Sequence, residues 1–123
     1  MSFRDLLAYK KSFGLAMKIF DLSKSFPREE KYSLIDQIRR SFRSVSANIS
    51  ESYRKRKYPK HFISKLTDSH AENAETQTWL EFAKECKYIE EETFNELIKE
   101  SEEVGKLINY MINNPVKFGV KVE

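Results

Sequence analysis

The sequence is poor in residues that break, staple or metallate a chain. Its 123 residues include three glycines and three prolines, too little turn material for the many short strands of an all-β fold. The single cysteine, Cys86, excludes an intrachain disulfide and accords with a reducing compartment. The two histidines, His61 and His70, do not stand three residues after a glutamate, as the Glu-x-x-His pairs of di-iron bundles require. Cys86 has no cysteine or histidine at ligand spacing. No metal and no cofactor are therefore expected. No apolar run nears the roughly 20 residues that span a bilayer. The N-terminal segment, interrupted by Asp5, lacks the apolar stretch of a secretory signal. A cytoplasmic location with no membrane partner is the expectation. A glycine-rich phosphate loop and a nucleophile elbow are also missing. Glu72 and Glu75 are better read as a solvated or interface face than as a catalytic acid and base. The expectation is a protein that is not an enzyme.

What remains is a chain built for helices. Its length suits one domain with one core. Apolar residues make up 40% and charged residues 33%, a balance that excludes global disorder. Four segments carry helical periodicity. The first spans about 3–25, with Phe3, Leu6, Leu7, Phe13, Ala16, Met17 and Phe20 proposed as its apolar face; Phe26-Pro27 breaks it. The second spans about 33–53, where Ile35, Ile38, Phe42, Val45 and Ile49 form a heptad seam. Ser33 with Asp36 resembles a capping box at its start. The third runs from Pro59 to between Cys86 and Tyr88, with Phe62, Ile63, Leu66, Ala71, Ala74, Phe82 and Ala83 as its apolar face and Trp79 and Leu80 alongside. Its middle, 68–77, is polar for a core helix. The fourth starts at Thr93, capped by Thr93 and Glu96, and stops at Asn113-Asn114-Pro115. Four amphipathic helices with short links make an all-α, up-down-up-down four-helix bundle over 1–114, followed by a short C-terminal tail, 115–123.

Charge is uneven along the chain. Between Arg39 and Lys60 there are eight Lys or Arg and one acid, Glu51, so this segment carries +7 of a total of +3 and leaves −4 for the rest. Arg39, Arg43, Arg54, Lys55, Arg56, Lys57 and Lys60, interleaved with Tyr53 and Tyr58, are candidates to contact the phosphates of RNA or DNA and to stack on bases. The serines of this segment line both borders of the apolar seam, where neighbouring helices or another chain would meet it. Asn48 sits at a shoulder of the seam and needs a partner there; Glu51 and Arg40 are the candidates to complete a structural polar motif with it. Trp79 and the other aromatics read as core or interface.

The stretch FPREEKYSLIDQIRRSFRSVSANISESYRKR resembles the signature of a bacterial family of four-helix bundle proteins encoded in intervening sequences of large-subunit ribosomal RNA genes. Phe26, Pro27, Glu30, Tyr32, Leu34, Gln37, Ile38, Arg39, Arg40, Ser44, Val45, Ala47, Asn48, Ile49 and Glu51 match its pattern. Ser46, Ser50 and Ser52 replace its frequent proline, alanine and glycine. Ser69, Glu72, Glu75, Thr76 and Gln77 match a later motif. The resemblance implies a ring-like homo-oligomer, a pentamer, and brings no known catalytic activity. Two functional readings follow. One is an oligomeric helical scaffold that binds nucleic acid through its basic patch. The other is a protein-protein adaptor with no nucleic-acid role, whose cations pair with acidic residues of a protein partner.

Overall fold

A computed structural model describes residues 1–121. Among these there is no strand, and four long helices carry the fold: α1 (Leu7–Ser23), α2 (Asp36–Arg54), α3 (Pro59–Glu85) and α4 (Glu91–Asn113). Short turns cover Phe3–Asp5 before α1 and Arg28–Glu30 and Lys31–Ile35 before α2. α1 and α3 each pack on both α2 and α4. With short reversals between successive helices, this is an up-down-up-down four-helix bundle.

The α2 seam lies where its spacing puts it. Ile38, Phe42, Val45 and Ile49 are wholly buried, with Ile35 beside them. Each such side chain contributes about 1.5–3 kcal/mol by leaving water.

The core face of α3 differs from the apolar pattern. It is Phe62, Leu66, Ser69, Asn73, Thr76, Leu80 and Ala83, an unbroken heptad whose middle three positions are polar. Ala71 and Ala74 face solvent, and Phe82 is 53% exposed. The polar core positions are tolerated because each is hydrogen-bonded. The Ser69 hydroxyl donates to the Val45 carbonyl at 2.8 Å, and the hydroxyls of Ser41 and Thr76 meet at 2.7 Å. On the α4 side, Asn73 Nδ2 donates to the Ser101 carbonyl at 3.0 Å, and the Ser101 hydroxyl donates to Asn73 Oδ1 at 2.7 Å.

α1 is also rotated from its expected face. It buries Ala8, Ser12, Leu15, Ile19 and Ser23, while Leu7, Phe13 and Met17 are about half exposed. Small side chains on the buried stripe let α1 approach α2 closely, and the hydroxyls of Ser12 and Ser46 lie 2.9 Å apart in the seam. Of the serines that border the α2 seam, Ser41 and Ser46 thus meet neighbouring helices, whereas Ser50 and Ser52 donate to carbonyls of α2 itself.

Two expected helix caps are absent. Lys31–Ile35 is already helical, as a π turn, so no helix start exists for Ser33 to cap; its hydroxyl donates instead to Glu30 Oε1 at 2.6 Å. α4 begins at Glu91, two residues before Thr93, with Glu90 in the cap position and no side-chain cap. A capping box does occur at the N-terminus, between Ser2 and Asp5. α3 ends with Lys87 in the left-handed region at φ 63°, while the Tyr88 amide donates to the Ala83 carbonyl at 2.8 Å; such a closure normally uses glycine. The described part of the tail is docked: Pro115–Phe118 form a turn and Val120 is buried. Residues 122 and 123 of the expected tail lie outside the described residues.

Candidate nucleic-acid interface

The seven candidate cations fall into two groups. Arg39 and Arg54 are fifteen positions apart on α2, about 22 Å along its axis. At the first end, Arg39 is half-buried against α1: its Nε donates to the Ser23 hydroxyl at 2.7 Å and its guanidinium lies 4.7 Å from the centre of the Phe20 ring. Arg43 is exposed and covers the same ring at 5.5 Å. These two form a flank stripe, apart from the others.

The second group gathers at one end of the bundle. Arg54 closes α2, residues 55–58 form the turn, and Pro59 opens α3, where its missing N–H costs nothing. Arg54, Lys55, Lys57 and Lys60 are exposed there. Arg56 is different. Its Nε donates to the Tyr53 carbonyl at 2.8 Å, its guanidinium stacks 3.6 Å from the Tyr53 ring centre, and Nη1 donates to the Phe118 carbonyl at 3.3 Å. It is a clip that ties the tail to the end of α2. Gly119 makes the clip possible: its φ is +87°, and a Cβ there would sit 2.9 Å from Arg56 Nη1. Tyr53, a candidate stacking residue by sequence, is buried beneath Arg56, whereas Tyr58 is 59% exposed.

The clip brings in a cation that the charge run does not contain. Lys121 lines two clefts at this end. One, of about 360 Å³, lies beside Arg54, Arg56 and Lys57. The other, of about 580 Å³, is bounded by Lys57, Tyr58, Pro59, Lys60, His61 and Lys121. Among the described residues, none of the seven candidate cations, nor Lys121, lies within ion-pair distance of a carboxylate.

The structure does not join Asn48, Glu51 and Arg40 into one network. Asn48 Nδ2 donates to the Ser44 carbonyl one turn back on its own helix, at 2.9 Å. Glu51 reaches across to Lys65 on α3 at 3.4 Å, and Arg40 contacts Gln37 at 3.4 Å. The shared polar network is at Asn73, Ser101 and Gln77 instead, with Gln77 Nε2 donating to the Ser101 hydroxyl at 2.9 Å. The heptad spacing of 62, 66, 69, 73, 76, 80 and 83 is the signal that would have located it. Further along the outer side of α3, burial and then the hydrogen bond and charge of Glu75 push the Glu72 carboxyl up from its ordinary value.

A model of the family described as 23S rRNA-intervening sequence protein matches residues 4–110. The chain belongs to that family. Among solved structures, this intervening-sequence protein is similar to a protein of unknown function from the S23 ribosomal protein family of Bacteroides thetaiotaomicron, with a TM-score of 0.80 and 32% identity over 89% of this chain and 98% of that one. No curated protein matches. In this intervening-sequence protein, part of the signature holds the loop before α2 in place. Phe26 is buried against Tyr88, with ring centres 5.7 Å apart. Glu30 accepts from Ser33 at 2.6 Å and from the Tyr88 hydroxyl at 2.7 Å. Those two bonds hold the Glu30 carboxyl below its usual range, and the same contact pushes the Tyr88 phenol up to about 12.

Proposed function

We propose that the chain is a non-enzymatic, self-associating helical bundle that holds RNA or DNA on its basic end. The observation that carries this reading is the convergence of Arg54, Lys57, Lys60 and Lys121 around open clefts, none of them within ion-pair distance of a carboxylate among the described residues. Unpaired cations on a rigid end attract phosphates and release their counterions on contact. Self-association, to the pentameric ring that the family resemblance implies, would repeat the patch and strengthen its field. Its support is the exposed apolar surface at Phe13 and Met17 on α1 and Phe82 on α3.

Arg56 is not suited to a phosphate role, because its guanidinium holds the tail. The test therefore replaces Arg54, Lys57 and Lys60 by Ala. On duplex DNA, the slope of log affinity against log salt should flatten by up to about 2.7, at about 0.9 per lost phosphate contact, with helicity unchanged. An unchanged affinity and slope would overturn the reading. Light scattering at micromolar concentration tests assembly; a particle of 14.6 kDa would be the monomer and would refute it.

The second reading is a protein-protein adaptor, favoured by the half-exposed Leu7, Phe13 and Met17 on one helix. A protein partner that survives nuclease treatment in a pull-down supports the adaptor. A partner lost on that treatment supports nucleic-acid binding.

A further inference from the structure

We infer that the larger cleft at the basic end holds an unpaired base, so that the chain prefers single-stranded over duplex nucleic acid. This rests on the nucleic-acid reading above and narrows its ligand class. Tyr58 is the residue before α3, and its backbone is fully used: its amide donates to the Lys55 carbonyl, and its own carbonyl accepts from His61 and Phe62. Its side chain has no place in the core and is 59% exposed. The ring rests near His61, with centroids 5.6 Å apart and planes tilted by 37°. Pro59, between them in the chain, fixes the backbone from which both rings project.

The Tyr58 ring is left largely in solvent beside His61. It offers a π-face, and Lys57, Lys60 and Lys121 border the same cleft. Stacking surface ringed by cations is the arrangement that holds single strands, with bases on the rings and phosphates on the lysines. A duplex keeps its bases stacked on each other, so it can use the lysines but not the ring. Tyr53 cannot serve in this way, because Arg56 covers it.

Fluorescence anisotropy tests the inference with a labelled 20-nucleotide oligothymidine and a 20-base-pair duplex at fixed salt. The single strand should bind more tightly. Tyr58→Ala should weaken it by roughly 5- to 150-fold, the worth of one stacked base, and leave the duplex unchanged. Tyr58→Phe should restore single-strand binding. Lys57→Ala, Lys60→Ala and Lys121→Ala together should weaken both ligands. A Tyr58→Trp variant gives a direct readout: its fluorescence should be quenched by oligothymidine and not by duplex. Equal affinity for the two ligands, with Tyr58→Ala affecting neither, overturns the stacking site and leaves the basic end as a general phosphate surface. No binding of either ligand overturns this inference and the nucleic-acid reading together.

Discussion

Removing the Asn73 side chain tests whether the polar centre of the bundle contributes stability. Asn73 is 4% exposed and makes two hydrogen bonds to Ser101 on α4, at 3.0 and 2.7 Å. Each is worth about 0.5–1.5 kcal/mol net. In Asn73→Ala the Ser101 hydroxyl keeps its contact from Gln77 and can turn to its own helix carbonyl one turn back. The vacated space adjoins the open groove between α3 and α4 lined by His70, Gln77 and Gly105, so water can replace part of the lost amide. The full cost of an orphaned buried group does not apply, and the expected loss is about 2 kcal/mol. For a domain of this size that lowers Tm by about 8 °C. Urea denaturation followed at 222 nm, at one protein concentration because assembly would shift the midpoint, measures it. Ser101→Ala alone should cost about 1–2 kcal/mol, and the double variant should fall short of the sum by about 1 kcal/mol. Strictly additive single variants would refute the reasoning, since two residues that share hydrogen bonds cannot lose them twice.

Three further outcomes are expected. Lys87→Gly should raise stability by up to about 1 kcal/mol, because a left-handed residue with a Cβ is strained there; a lower urea midpoint would contradict this. Gly119→Ala should loosen the tail, since it combines an unfavourable φ with a 2.9 Å approach to Arg56; amide exchange near Val120 should quicken, and an unchanged rate would count against the clip. Glu72 keeps its proton in the folded chain to higher pH than in the unfolded chain, so its contribution is full below the ordinary value of 4.5 and is lost as pH rises through the raised value. Glu72→Gln should therefore gain on wild type as pH is raised from 4.5 towards neutrality, and a constant gap between their urea midpoints would show that the shift is not expressed in stability.

The α2 seam was fully legible, because five branched or aromatic residues at strict heptad spacing admit one burial pattern. The face of α1 and the middle of α3 were not, for one shared reason, although Phe62, Leu66, Leu80 and Ala83 at the ends of α3 are buried as read. Each places small polar residues in the core, Ser12 and Ser23 on α1 and Ser69, Asn73 and Thr76 on α3. Hydropathy cannot tell a polar side chain paired across a seam from one in water. Phe13, Met17 and Phe82, outside the core, drew the apolar face away from these positions. The basic run located one end of the bundle through charge alone. It could not reveal that Arg56 is spent on the tail, or that Lys121 returns from 61 residues beyond Lys60 to join the same cleft.

The seam between α2 and α3 also bears on how the chain finds its fold. It is the most extensive helix pairing in the bundle, and the two helices are joined by only four residues. A loop so short closes at little entropic cost, and the contacts nearest the turn are of the local kind that speeds folding. The hydrogen bonds from Ser69 to Val45 and between Ser41 and Thr76 then select one register, since sliding by a turn would strand them. This hairpin is therefore the natural nucleus, with α1 and α4 docking onto a pair already aligned. Substitutions at Phe42, Val45 or Leu66 should slow folding, whereas those at Ala8 or Leu15 should chiefly hasten unfolding.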